Sequence, residues 1–480
     1  MFNKARLENL HIMLTYNFAN KGSDSLYEYL YKCIKNDIIL ENLDVHEKLP
    51  SKRSFAKNLG ISVITVENAY EQLMAEGYIY SIPKKGFYVA DLRELNLTKT
   101  HSVGPDNALL SIKEKVPYLA DFTSNQTDSE IFPFTIWART MRELLNENQQ
   151  QLMENPPCGG IMALRQAIAD YLHAFRGMVV KPEQIIVGAG TEYLYGLLIQ
   201  LLGDDKIYGI ENPGYPKIAK IYDSMHVSYS AIDLDEHGVC IDSLEDHQID
   251  IMHLSPSHHF PTGIITPISR RYELLGWASK DENRYIIEDD YDSELRLGGK
   301  LTLQSIDVSD KVIYMNTFTK TLSSTVRISY MVLPASLTEL FYKKLSFYSC
   351  TVSNFEQYTL ARFMESGSFE KHINRLRNYY QNKRDAILEI FKTAPLDQYI
   401  TIKEEDSGVH FMMKLKTERT EMDMMSDSKS KGIKLAPLSK YFVGQTSTVN
   451  FQNVYVMNYS SIDLEQLPLI FDALCQVLIK

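Results

Sequence analysis

The chain is poor in the features that would mark it as secreted, metal-bound or membrane-spanning. It has 5 cysteines in 480 residues, Cys33, Cys158, Cys240, Cys350 and Cys475, scattered and without a CxxC pair. That pattern excludes a disulfide framework and a cysteine-based zinc site, and it fits a reducing cytosol. No stretch reaches the roughly 18 uninterrupted apolar residues that a membrane-spanning helix needs. The opening MFNKARLENLHIML lacks the apolar core and small-residue cleavage site of a secretory leader, so a cytoplasmic protein is expected. Positive charge is short as well. The 50 Lys+Arg against 61 Asp+Glu leave a net charge of −11, which argues against general coating of nucleic acid. Internal repeats and long low-complexity runs are missing too.

What is present is ordinary globular material, 44% hydrophobic and 23% charged. A chain of this length exceeds one core, so two or more domains are expected. In SLYEYLYKCIKN (25–36), Leu26, Leu30, Cys33 and Ile34 fall on one helical face. Pro50-Ser51 then opens a short helix with Phe55, Ala56 and Leu59 inward, and Gly60 stops it. Ser62 suits the N-cap of the next helix, whose Val66, Ala69, Tyr70, Leu73 and Met74 make a helical stripe. Gly77 ends that helix, and YIYSIPKKGFYVA reads as two strands around a basic turn. Helix, helix–turn–helix and hairpin together predict a winged helix over 22–90.

Charge sharpens this reading. Lys48, Lys52, Arg53, Lys57, Lys84 and Lys85 flank the helix start and the wing, while Glu67, Glu71 and Glu76 lie along the long helix. A groove-reading helix and a phosphate-contacting wing need that placement. With LPSKR, LGIS, TV, AYEQLMAEGY and GFYV in order, the stretch resembles the GntR-type winged helix. The resemblance implies that Ser51, Arg53, Ser62, Thr65, Lys84, Lys85 and Gly86 contact double-stranded operator DNA. One position departs: Val63 stands where that family usually has arginine, which removes a phosphate or base contact.

DLRELNLTKTHSVGPDNALLSIKEK (91–115) is polar and broken by Gly104-Pro105, and it reads as a linker. Over 116–480, apolar strands alternate with helical stretches. QIIVGAG precedes a helix with Leu194, Leu197, Leu198 and Leu201 on one face, and IDIMHLSPS, RYIIEDDY, KVIYMNTF and RISYMVLP are further strands. Such alternation predicts an α/β fold with a largely parallel sheet and a ligand site at the strands' carboxyl ends. The polar clusters fall there. GAGTE (188–192) is a glycine-rich turn entering a helix, suited to a phosphate. ENPGYPK, SPSHHFPTG and EDDYDSE are strand-end loops, and the acids of the last lack the converging histidines of a metal site.

In this order, with NTFTKTLSSTVR behind them, these motifs resemble the fold-type I pyridoxal-phosphate enzymes of the aminotransferase family. The resemblance implies that Lys320 forms an aldimine with pyridoxal 5'-phosphate, that Asp289 keeps the pyridine nitrogen protonated and that Tyr291 bonds the ring hydroxyl. It puts Tyr215 on the ring face, Gly190, Thr191, Thr317 and Arg327 on the phosphate, and His258 or His259 at the ring edge. A GntR-type winged helix joined to such a domain resembles the MocR regulators, which implies a cofactor-responsive transcription factor and a head-to-tail homodimer. Ordinary aminotransferases hold the substrate carboxylate with a late arginine. VYVMNYSS (454–461) has Val456 or a neighbour in its place, and Arg419 is the only arginine after position 400. A sensor of pyridoxal phosphate itself, like the PdxR members, is therefore expected, with at most residual transamination. The alternatives are a regulator answering to an amino acid or dipeptide, an active aminotransferase with an appended DNA-binding domain, and a decayed scaffold.

Overall fold

The computed structural model describes residues 14–18, 21–22, 24–91, 118–124, 127–295, 301–403, 408–444 and 451–478. The chain divides into two units, residues 1–115 and 116–480. Of the linker expected over 91–115, all but Asp91 lies outside the described residues.

In the small unit the helix Leu26–Ile39 starts at a reciprocal cap. Ser25 Oγ accepts from the Glu28 N–H, and Glu28 accepts from the Ser25 N–H at 2.9 Å. Lys52–Leu59 is capped by Ser51 and stopped by Gly60 in the left-handed region; Val63–Ala75 is capped by Ser62. The expected stripe is the core: Leu30, Ile34, Phe55, Val66, Ala69, Tyr70 and Leu73 are all fully buried. Leu26, expected on that face, is exposed at the first position of its helix, and Tyr31 and Ile38 extend the buried face instead. The strands Ile79–Ile82 and Gly86–Val89 pair antiparallel, and a bridge from Lys48 to Tyr88 widens the wing.

The large unit is built on an eight-stranded sheet. Its order from edge to edge is Ile185–Ala189, Ile328–Val332, Val312–Thr317, Tyr285–Asp289, Ile251–Leu254, Tyr208–Asn212, Tyr229–Asp235 and Gly238–Val239. Pairing is parallel from Val312–Thr317 through to Tyr229–Asp235. Ile328–Val332 runs antiparallel to both its neighbours, with Ile328 opposite Ala189 and Ser329 opposite Thr317. That reversal matters for the site: this one strand begins at the edge where its neighbours end, so Arg327 emerges beside Gly190 and Thr317. Helices cover both faces, and in Thr191–Leu202 the residues Leu194, Leu197, Leu198 and Leu201 are at most 2% exposed. A second, antiparallel sheet of Ile400–Lys403, His410–Leu415, Val454–Asn458 and Ala436–Pro437 packs with Ser368–Phe391 and Leu467–Leu478 around its own core. Among the described residues no helix is long and apolar enough to cross a membrane.

Candidate functional site

A cavity of about 260 Å³ opens at the carboxyl ends of the parallel strands, and Gly190, Thr191, Tyr215, Asp289, Tyr291, Thr317, Lys320 and Arg327 all line it. Residues spread over 138 positions of sequence converge because most end or follow a parallel strand, and Arg327 precedes the reversed one, all at the same side of the sheet. His258 is the exception among the cofactor ligands expected from sequence. It is 2% exposed, lies outside the lining, and its Nδ1 sits 2.5 Å from Asp292 Oδ2. His259 is equally buried, bonded to Thr262 Oγ1 at 2.7 Å.

The histidine that lines the cavity is instead His253, inside the strand Ile251–Leu254. Its Nδ1 bonds the Tyr222 hydroxyl at 3.0 Å, and its Nε2 stands 3.7 Å from Asp289 Oδ2. Tyr195 was missed as well; its hydroxyl donates to Asp289 Oδ2 at 2.7 Å. Burial and the neighbouring carboxylate push the Tyr195 phenol well above its ordinary range, so it stays a donor. Asp289 Oδ1 has no partner and is buried. An acceptor left bare in this way costs free energy unless a ligand donor meets it.

The acids of EDDYDSE part company in the fold. Glu288 accepts from the backbone N–H groups of Leu303 and Gln304, at 2.9 Å each. Asp290 takes the Tyr314 hydroxyl at 2.9 Å and faces Arg176 at 3.6 Å. Asp292 holds His258, Glu294 accepts from Asn316, and Asp289 alone faces the cavity. Strand alternation and the following turn thus spend four carboxylates on structure and one on the site. Among the described residues no group of three or more His, Cys, Asp or Glu is placed to hold a metal ion.

Lys320 sits in the turn after Val312–Thr317, where Thr321 and Leu322 hydrogen-bond back to the Phe318 carbonyl. Burial depresses its ammonium to about 8, against the opposing pull of Asp292. A lysine so held is partly neutral near physiological pH, as a nucleophilic amine requires. The far pole is cationic and polar. Thr317 Oγ1 donates to Thr319 Oγ1 at 2.8 Å, and Arg327 and Lys217 both pair with Glu192, Arg327 at 2.7 Å. Gly190 has φ of 94°, and a Cβ there would lie 2.5 Å from Arg327 Nη2. The absent side chain lets the Arg327 guanidinium and the Glu192 carboxylate approach the backbone at the helix N-terminus. Tyr215, 46% exposed, meets Phe260 edge-on with ring centroids 5.9 Å apart.

Deeper in the wall, Glu211 accepts from the Ser255 N–H at 2.9 Å and lies 3.5 Å from His259 Nε2. Burial raises the Glu211 carboxyl to about 8 and lowers His259 to about 3, so the pair is neutral at pH 7. The strand Val454–Asn458 brings no cation to the cavity. Val456 is buried in an apolar cluster with Leu438 and Val454, against Phe260. Arg419 is committed elsewhere, to Asp427 at 2.6 Å and to the Val477 carbonyl.

In the small unit the hydroxyls of Ser51 and Ser62 are used as caps, and Ser62 and Thr65 share a 2.7 Å hydrogen bond. Arg53, Lys84 and Lys85 are exposed, and Gly86, at φ of 117°, closes the wing turn.

Residues 26–89 match the family model for bacterial regulatory proteins of the gntR family, and residues 119–458 match aminotransferase class I and II. The HTH-type transcriptional regulator YdeL of Bacillus subtilis is 37% identical over 88% of this chain and 91% of its own. The probable rhizopine catabolism regulatory protein MocR of Rhizobium meliloti is 28% identical over 91% of this chain and 90% of its own. The chain belongs to the MocR subfamily of GntR-type transcription regulators. The pyridoxine biosynthesis regulator PdxR of Corynebacterium glutamicum is 28% identical over 83% of the MocR-type chain and 84% of its own. An archaeal alanine:glyoxylate aminotransferase superposes with TM-score 0.67 at 21% identity, covering 76% of this chain and 92% of that one. That likeness establishes the fold of the large unit as fold-type I, a family that binds pyridoxal phosphate. The MocR-type residues fit the group: a bare acceptor at Asp289, the Arg327 guanidinium beside the helix start at Thr191, and a depressed amine at Lys320.

Proposed function

We propose that this regulator binds pyridoxal 5'-phosphate through Lys320 and that occupancy of the cavity changes its grip on operator DNA. The observation that carries the reading is the unpartnered, buried Oδ1 of Asp289 in the same cavity as a lysine depressed to about 8. When bound, the cofactor supplies an aldehyde that captures a primary amine. The protein's part is binding and orientation. Asp289 accepts the ring nitrogen's proton-bearing side, with Tyr195 fixing the carboxylate. Tyr291 faces the ring hydroxyl and Tyr215 covers a ring face. Gly190, Thr191, Thr317 and Arg327 take the phosphate, Arg327 with its planar fork.

The effector reading follows from charge. Recognising an amino acid's carboxylate takes a charge-assisted bond worth about 1.5–3 kcal/mol. The C-terminal strand offers Val456 where that cation would stand, which supports a sensor of pyridoxal phosphate over an aminotransferase. Lys217 on the cavity wall favours a second reading, in which a carboxylate-bearing amine enters beside the cofactor. Family likeness extends the proposal to a head-to-tail homodimer. Titrating purified protein with pyridoxal phosphate should raise an absorbance band near the visible edge that Lys320→Ala lacks. DNA affinity should change on the same titration. A missing band, or DNA binding indifferent to the cofactor, refutes the sensor; a further spectral shift with an added amino acid selects the second reading.

A further inference from the structure

We propose that the start of the helix Val63–Ala75 reads thymine methyl groups, so that the operator carries A·T pairs beneath Val63 and Ile64. The inference rests on the protein being a DNA-binding regulator and concerns which bases it selects. Val63 and Ile64 are 42% and 67% exposed, whereas Val66 and Leu73 of the same helix are fully buried. Isolated apolar residues on a surface need no explanation. These two are adjacent, and they stand at the end of the second helix of a helix–turn–helix, the end that enters the major groove.

What surrounds them narrows the choice of base. The sequence VITVENAYEQLMA contains no lysine or arginine, the residues that pair with guanine O6 and N7. The flanking hydroxyls are turned on each other: Ser62 Oγ accepts the Thr65 N–H at 3.1 Å and shares a 2.7 Å bond with Thr65 Oγ1. Glu67, which could accept from cytosine, is tied to Lys52 at 2.7 Å, and Glu71 lies about two turns beyond Val63. The exposed side chains left at the groove end are Val63, Ile64 and, one turn on, Asn68. In the major groove the apolar feature is the C5-methyl of thymine, and asparagine pairs with adenine. Arg53, Lys57, Lys84 and Lys85, all exposed, frame this patch with the charge that phosphates require.

The test uses the full-length protein with pyridoxal phosphate. Binding sites are enriched from a pool of random duplexes, and each thymine of the best site is replaced singly by uracil, which pairs alike and lacks only the methyl. Affinity should fall about fourfold for each methyl that is contacted. Val63→Ala and Ile64→Ala should bind thymine and uracil duplexes alike, and Val63→Arg should shift the enriched sites toward guanine. If every uracil duplex binds as tightly as its parent while salt still weakens binding, methyl reading is wrong and the regulator stands. If no sequence is enriched at any salt concentration, both readings fall together.

Discussion

Replacing Asp289 by asparagine tests the site where the geometry is most specific. One carboxylate oxygen is spent on Tyr195 at 2.7 Å, and the other is buried without a partner. Asparagine keeps the shape, and its amide oxygen can still accept from the phenol. What is lost is a single charge-assisted bond to a protonated ring nitrogen, worth about 1.5–3 kcal/mol. Cofactor affinity should therefore fall about 10- to 150-fold. The cofactor-free protein should respond the other way. A buried acceptor without a donor costs about 1–3 kcal/mol, and removing its charge recovers part of that. The Asp289→Asn protein should thus melt no lower than wild type when free, yet gain less from saturating cofactor. Absorbance titration and paired thermal melts with and without pyridoxal phosphate measure both arms. Unchanged affinity, or a free protein strongly destabilised, would show that Asp289 is a structural carboxylate and that the ring nitrogen lies elsewhere.

Three further outcomes follow from the same structure. Lys320 is held at about 8, below its ordinary 10.5, so its neutral fraction grows with pH up to that point and then saturates. The rate of cofactor capture in stopped-flow absorbance should climb about tenfold per pH unit below pH 8 and level off above it; a flat profile would refute the nucleophilic role. Gly190→Ala would set a Cβ 2.5 Å from Arg327 Nη2 at φ of 94°. It should cost about 1–3 kcal/mol in thermal or denaturant unfolding, and it should weaken cofactor binding by displacing the arginine. On the wing, Lys84→Ala and Lys85→Ala should weaken DNA binding evenly across sequences and lower the salt slope by about one each. A sequence-dependent loss in fluorescence anisotropy would mean that the wing reads bases.

Local chemistry made much of this protein legible from its residues alone. The three helices of the small unit declared themselves because helical periodicity, capping serines and stop glycines agree over Leu26–Ala75. The strand ends of the large unit were legible for a similar reason: apolar runs give way abruptly to Gly190, Tyr215, Asp289 and Lys320, and all four line one cavity. Partnership across strands was not legible, since it depends on sheet order. His253 lies 36 residues before Asp289 in a strand that reads as core, and only the pairing of Ile251–Leu254 with Tyr285–Asp289 brings the two within 3.7 Å. His258 looked like a ligand because it sits in a polar loop, but the fold turns it onto Asp292. Glu192 gave no local hint that it would pair with Arg327, 135 positions away. Composition and periodicity are properties of neighbours in sequence, and they determined the two units, their elements and the residues competent for chemistry. Which donor meets which acceptor depends on long-range pairing, above all on the reversed strand Ile328–Val332 that delivers Arg327 to the cavity beside Gly190 and Thr317, and only the tertiary structure decided it.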